Sequence, residues 1–171
     1  MNTKIEAMLT EIGDSVERLD SDVNSGGCGI YAYEMLKRLS KNGILGKIVV
    51  YHEIWSTPTD WNVANVENNL RKRRIGVSNM FNWFDNFNVT GFAHIKVEID
   101  NKVFDSVEIV DSEESNIWNT FYKRMEGYLS LDALAKINRN RSNWNPTFNR
   151  KFVPKIRKIM DQTFQKYGLS A

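Results

Sequence analysis

Apolar residues recur at helical spacing near the N-terminus, where Ile5, Met8, Leu9, Ile12, Val16 and Leu19 form one stripe. This predicts an amphipathic helix from about Thr3 to Leu19. Asp20 to Gly27 is rich in turn formers and reads as a loop. A second helix is expected to open around Gly27 to Gly29 and run to Leu39, with Ala32, Met35, Leu36 and Leu39 facing inward and Asn42-Gly43 as its stop. The pattern then changes. Lys47 to Trp55 is β-branched and aromatic, as in a strand, and Phe92–Ile99 with Val103–Ile109 reads as a hairpin turned at Asp100-Asn101, both residue types that tolerate positive φ. Between them, a helix from Asp60 to Arg74 and an asparagine-rich aromatic stretch belong to an expected insertion at 57–90 bordering a cleft, in which Phe81 to Phe87 is either core or a lid or substrate wall. Beyond Phe121 the chain reads as a basic helical region, 121–171: Ser130 caps a helix over Leu131 to Asn138, Asn145-Pro146 resembles another helix start, and Pro154 opens a last helix that reaches Tyr167 before Gly168. The reading is one α+β domain over 1–171, with helices on a mostly antiparallel sheet.

With 171 residues, 42% of them hydrophobic, the chain has an ordinary globular composition and can bury a core. No apolar run reaches the length of a membrane span. Lys4, Glu6 and Glu11 interrupt the N-terminal apolar stretch, unlike a secretory signal, so a cytoplasmic location is expected. The net charge of +2 is uneven: from Phe121 onward there are eleven Lys or Arg against three Asp or Glu. A basic end on an acidic body points to an anionic partner or to solvated helix faces.

The chain has one cysteine, Cys28, which can form no internal disulfide. A lone cysteine is ordinarily a small buried hydrophobe. Here it lies in Ser25-Gly26-Gly27-Cys28-Gly29, where a glycine-rich loop meets a helix start. First-turn amides have no intrahelical partner and carry partial positive charge, so they favour a thiolate and can hold an oxyanion. Gly27 and Gly29 would let another chain approach the sulfur, and Asn24 is a further candidate oxyanion donor.

Of the two histidines, His94 lies in the strand pattern Phe92–Ile99. If Asp100-Asn101 is a two-residue turn, Asp105 falls opposite Lys96 and His94 opposite Val107. Alternation then places His94, Lys96 and Asp105 on one face, with Ile95, Val97, Ile99 and Phe104 on the other, toward the core. His94 and Asp105 become diagonal neighbours, the relation of a base to the carboxylate that orients it. A slip of one residue would break the relation.

A Cys at a helix start, then a His on a strand, then an Asp on the next strand resembles the papain-like superfamily. It looks most like the transglutaminase core and the arylamine acetyltransferases, and is similar to NlpC-type and CHAP-type amidases. The likeness spans roughly Asn24 to Ser106. It implies a papain-like fold and thiol-dependent acyl transfer or amide hydrolysis, with Cys28 as nucleophile, His94 as base and Asp105 as orienting residue, on a protein or peptide substrate and with no cofactor. The glutamine that papain-type proteases carry several residues before the cysteine is absent; Asp22 and Val23 stand there, with Asn24 nearer. Ile95 and Lys96 replace the tryptophan that often follows a transglutaminase histidine.

Other readings compete. Cys28, His52 and His94 could supply three zinc ligands, but they are scattered and lack the usual paired spacing. His52 shares parity with Ile48, Val50 and Ile54 and reads as a half-buried strand residue. The basic runs at 71–74 (Arg71-Lys72-Arg73-Arg74) and 139–158, with Trp83, Trp144 and Phe148 as stacking surfaces, fit a binding module for nucleic acid or an acidic protein. Trp83 also borders the expected substrate cleft.

Overall fold

The computed structural model describes residues 1–19, 27–53, 62–72, 92–116, 122–144 and 150–171. These form an α+β arrangement of five α-helices and an antiparallel five-stranded sheet. In chain order they are α1 (Thr3–Leu19), α2 (Cys28–Lys41), β1 (Lys47–Glu53), α3 (Val63–Lys72), β2 (Phe92–Ile99), β3 (Lys102–Phe104), β4 (Ile109–Asp111), β5 (Tyr122–Arg124), α4 (Leu131–Trp144) and α5 (Val153–Lys166). A 3-10 turn, Glu114–Asn116, lies between β4 and β5. The sheet order is β4-β3-β2-β1-β5.

The helical stripes do what their spacing predicts. Met8, Leu9, Ile12 and Val16 of α1, with Met35 and Leu39 of α2, join Ile156, Met160 and Phe164 of α5 in one core against Ile48, Val50, Ile95, Val97 and Phe104 of the sheet. Gly27 caps α2 with no side-chain hydrogen bond, forgoing roughly 1 kcal/mol that a Ser or Asp cap supplies. Each buried Leu or Met of its stripe is worth about 1.5–3 kcal/mol, so packing rather than capping holds this helix. α1 packs on α5, and α2 packs on β2, α4 and α5. Gly13, inside α1, admits the Ser106 carbonyl, which would lie 3.1 Å from an added Cβ. The turn that carries Asp105 is thus pressed against α1.

The hairpin has the expected register. Asp100 and Asn101 have φ of 47° and 64°, and the pairs Ile99–Lys102, Glu98–Val103 and Val97–Phe104 follow. The predicted second strand, Val103–Ile109, is corrected: it is two strands, β3 and β4, folded back at 105–108. Asp105 Oδ1 accepts hydrogen bonds from the amides of Val107 (2.7 Å) and Glu108 (3.1 Å), and the Asp105 amide donates to the Glu108 carbonyl. A side chain that binds the backbone two and three residues on makes a turn, and it ends the ladder there. The region 121–171 is not helical throughout, because Tyr122–Arg124 pairs with Tyr51–Glu53 as the edge strand β5. The helix expected to stop near Asn138 continues to Trp144. Ser130 caps it through the Ala133 amide at 3.2 Å. Of the expected insertion at 57–90, only α3 and the adjoining Asn62 are among the described residues. Asn145-Pro146 and the aromatic stretch Phe81–Phe87 lie outside them. Among the described residues no helix is long and apolar enough to cross a membrane.

Candidate functional site

Three elements converge on one buried cluster. α2 begins with Cys28, β2 carries His94 at its third residue, and the β3–β4 turn carries Asp105. The His94 Nε2–H donates to Asp105 Oδ2 at 2.8 Å, and the ring shares a side-chain hydrogen bond with Cys28. Cys28 and His94 are each 2% exposed and Asp105 is 4% exposed. The hairpin register explains half of this meeting. With Val97 opposite Phe104, the next residue after β3 is aligned with Lys96, one diagonal step from His94. The other half is tertiary, since α2 packs on β2 and its first turn, at Gly29, meets Ile95 beside His94.

Burial pushes the His94 ring toward the neutral form. The negative charge of Cys28 and the Asp105 hydrogen bond outweigh burial and lift the ring to about 9. Burial likewise pushes the Asp105 carboxyl up. The hydrogen bond from His94, then the charge of Lys96, outweigh burial and bring the carboxyl down to about 2. The two shifts describe one ionic chain, an imidazolium between a sulfur and a carboxylate. Tyr31, one helical turn after Cys28, is buried with its hydroxyl unpartnered among the described residues. Burial and the nearby Asp105 carboxylate hold its phenol well above the usual range.

The glycines flanking Cys28 lie at the opening of α2. Gly27 is the N-cap, and its carbonyl accepts from the amides of Ile30 and Tyr31, both at 2.9 Å. Asn138 of α4 donates from Nδ2 to the Gly29 carbonyl at 2.9 Å, and its Oδ1 would stand 2.6 Å from a Cβ added at Gly29. The close approach anticipated at Gly29 is therefore made by α4. Asn24 and Trp83 lie outside the described residues. His52 is half-buried on β1, beside a bulge between Tyr51 and His52. Among the described residues no three His, Cys, Asp or Glu side chains are grouped as a metal site.

The polar face of β2 is as buried as the apolar one. Lys96 is fully buried, with its Nζ 3.2 Å from Asp105 Oδ2 and in contact with the Glu108 carboxylate. Glu98 pairs with Arg124 across the same face. Alternation places Lys96 beside His94 and Asp105 but does not reveal its pairing with two carboxylates. The available signal was a lysine in the middle of an apolar strand. Asn138 left no such signal, because its partner is 109 residues away in sequence.

The basic runs are partly committed. Arg71 faces Glu67 on its own helix at 3.7 Å, and Arg157 pairs with Glu34 at 2.7 Å. Arg150, Lys151, Lys155 and Lys158 are exposed around α5. Compared with known proteins, the chain matches no family model, no curated protein and no solved structure.

Proposed function

We propose that this chain performs thiol-dependent acyl transfer or amide hydrolysis on a protein or peptide substrate, with a papain-like, transglutaminase-core-like arrangement of nucleophile, base and orienting carboxylate. The supporting observation is the His94 ring held between the Cys28 sulfur and the Asp105 carboxylate. With Nε2 committed to Asp105, Nδ1 is the ring nitrogen that serves the sulfur. His94 already holds the proton of the Cys28 thiol as an imidazolium, leaving the sulfur as a thiolate. The thiolate attacks the carbonyl carbon, and the carbonyl electron pair moves to oxygen, facing the first amides of α2. The tetrahedral species collapses with cleavage of the C–N bond, and His94 gives its proton to the departing amine. Water or a second amine then attacks the thioester and restores the thiol. Asp105 keeps the ring in one tautomer throughout.

The test is labelling by an electrophilic thiol probe near neutral pH. The wild type should react faster than Cys28 would in His94→Ala by roughly 10²-fold or more, and Cys28→Ala should not label. Equal labelling of wild type and His94→Ala removes the proposal.

The burial of Cys28 favours a second reading, a non-enzymatic binder for nucleic acid or an acidic protein. In that reading the sulfur and its ion chain are structural, and the exposed cations of α5 make the contact. It requires slow labelling of Cys28 and binding to an anionic polymer that weakens steeply with added salt.

A further inference from the structure

We propose that Lys96 is a positioning residue of this site: its ammonium clamps the carboxylate that orients His94 and restrains the ring's affinity for a proton. The catalytic meaning of this rests on the function proposed above; the geometry does not. Asp105 is fully committed. Oδ1 accepts two amides of its own turn, and Oδ2 accepts the His94 ring at 2.8 Å while lying 3.2 Å from Lys96 Nζ. Lys96 is 0% exposed and also meets Glu108, whose side chain is 37% exposed. The lysine thus bridges a buried carboxylate and one at the rim. Its neighbour across the ladder is Val49, so an apolar side chain would suit the site if packing were the sole requirement.

Charged and titratable groups from four elements surround the His94 strand. α2 contributes Cys28 and Tyr31, the β3–β4 turn contributes Asp105 and Glu108, β1 contributes Tyr51 directly opposite, and β5 contributes Arg124 opposite Tyr51. β2 itself adds Lys96 and Glu98. Arg124 is spent on Glu98 and Ser112. Among these groups Lys96 is the cation in contact with Asp105. A carboxylate shared with an ammonium still orients the ring, but it holds the imidazolium less tightly. A base that must return its proton to a leaving amine needs that balance.

The test is an NMR titration of the His94 ring in a Cys28→Ala background, which removes the sulfur's influence. Lys96→Met should raise the ring's midpoint by about one unit, near tenfold in proton affinity, and Lys96→Arg should return it to within about half a unit. An unchanged midpoint in Lys96→Met, or Lys96→Arg behaving like Lys96→Met, overturns the proposal. Should Lys96→Met fail to fold, Glu108→Gln decides: removing the rim charge should lower the midpoint, and no shift overturns the proposal. The titration reads no turnover. An unreactive Cys28 with a Lys96-sensitive ring would remove only the proposed function, and a reactive Cys28 with an insensitive ring would remove only the role of Lys96.

Discussion

Against the effect of burial, the charge of Cys28 and the Asp105 hydrogen bond raise His94, while the His94 hydrogen bond and the charge of Lys96 lower Asp105. The consequence for stability has a definite sign. The folded His94 binds its proton more tightly than the free value of 6.5, up to about 9. Its contribution is complete below about pH 6.5 and is lost as pH rises through about 9. Asp105 is lowered from 3.8 to about 2, so its contribution is present above 3.8 and is lost as pH falls through about 2. Urea unfolding across pH should show a plateau between these limits. His94→Gln should flatten the alkaline decline and Asp105→Asn the acid one. An alkaline decline that persists undiminished in His94→Gln would mean that the ring is not held as described. The placement of Cys28 at a helix start and of His94 beside Asp105 was legible because helix starts and strand alternation are local patterns. Lys96 was legible as a position only, since its meaning depends on Glu108 folding back over it.

At the scale of elements, the decisive join is between α2 and α4. Asn138 touches the residue that follows Cys28, so α4 fixes the opening of α2 that no side chain caps. Gly29→Ala should cost about 1–3 kcal/mol, because the new methyl group meets Asn138 Oδ1 and the methyl groups of Ile95 and Leu134. In Asn138→Ala the same substitution should cost less by about 1 kcal/mol, a coupling that a denaturation double-mutant cycle reads directly. Equal costs in both backgrounds would place the strain elsewhere. The glycine pattern around Cys28 suggested openness for a substrate. At Gly29 the missing Cβ admits Asn138 of α4, and one sequence cannot separate packing from openness, since both need a missing Cβ.

Across the whole molecule, the N-terminal half and the C-terminal helix are joined by buried charge as well as by hydrocarbon. Arg38 of α2 pairs with Glu34 at 2.9 Å and with Asp161 of α5 at 2.6 Å, and Arg157 reaches the other oxygen of Glu34 at 2.7 Å. Burial pushes the Glu34 carboxyl up, and the two arginines outweigh it to hold the group below its usual range. Arg38→Ala should cost about 1–3 kcal/mol, since it removes one of the two arginines on the buried Glu34 while Arg157 remains on the other oxygen. Replacing Glu34 and Arg38 together by Leu and Met should cost less than Arg38→Ala alone, as read from urea midpoints. A larger loss in the double variant would show that the pair contributes more than its desolvation removes.

Local chemistry alone determined much of this protein. The limits of α1, the ends of α2 at Gly43 and of α5 at Gly168, the Ser130 cap and the register set by Asp100-Asn101 follow from interactions within a few residues, which any chain with those residues would favour. It was tertiary structure that decided the rest. Tyr122–Arg124 becomes a strand because β1 offers an open edge. The sulfur meets the imidazole because α2 crosses β2 at that end, with α4 behind it. Such contacts join residues tens to more than a hundred positions apart, and their energies depend on burial that exists only once the chain has folded.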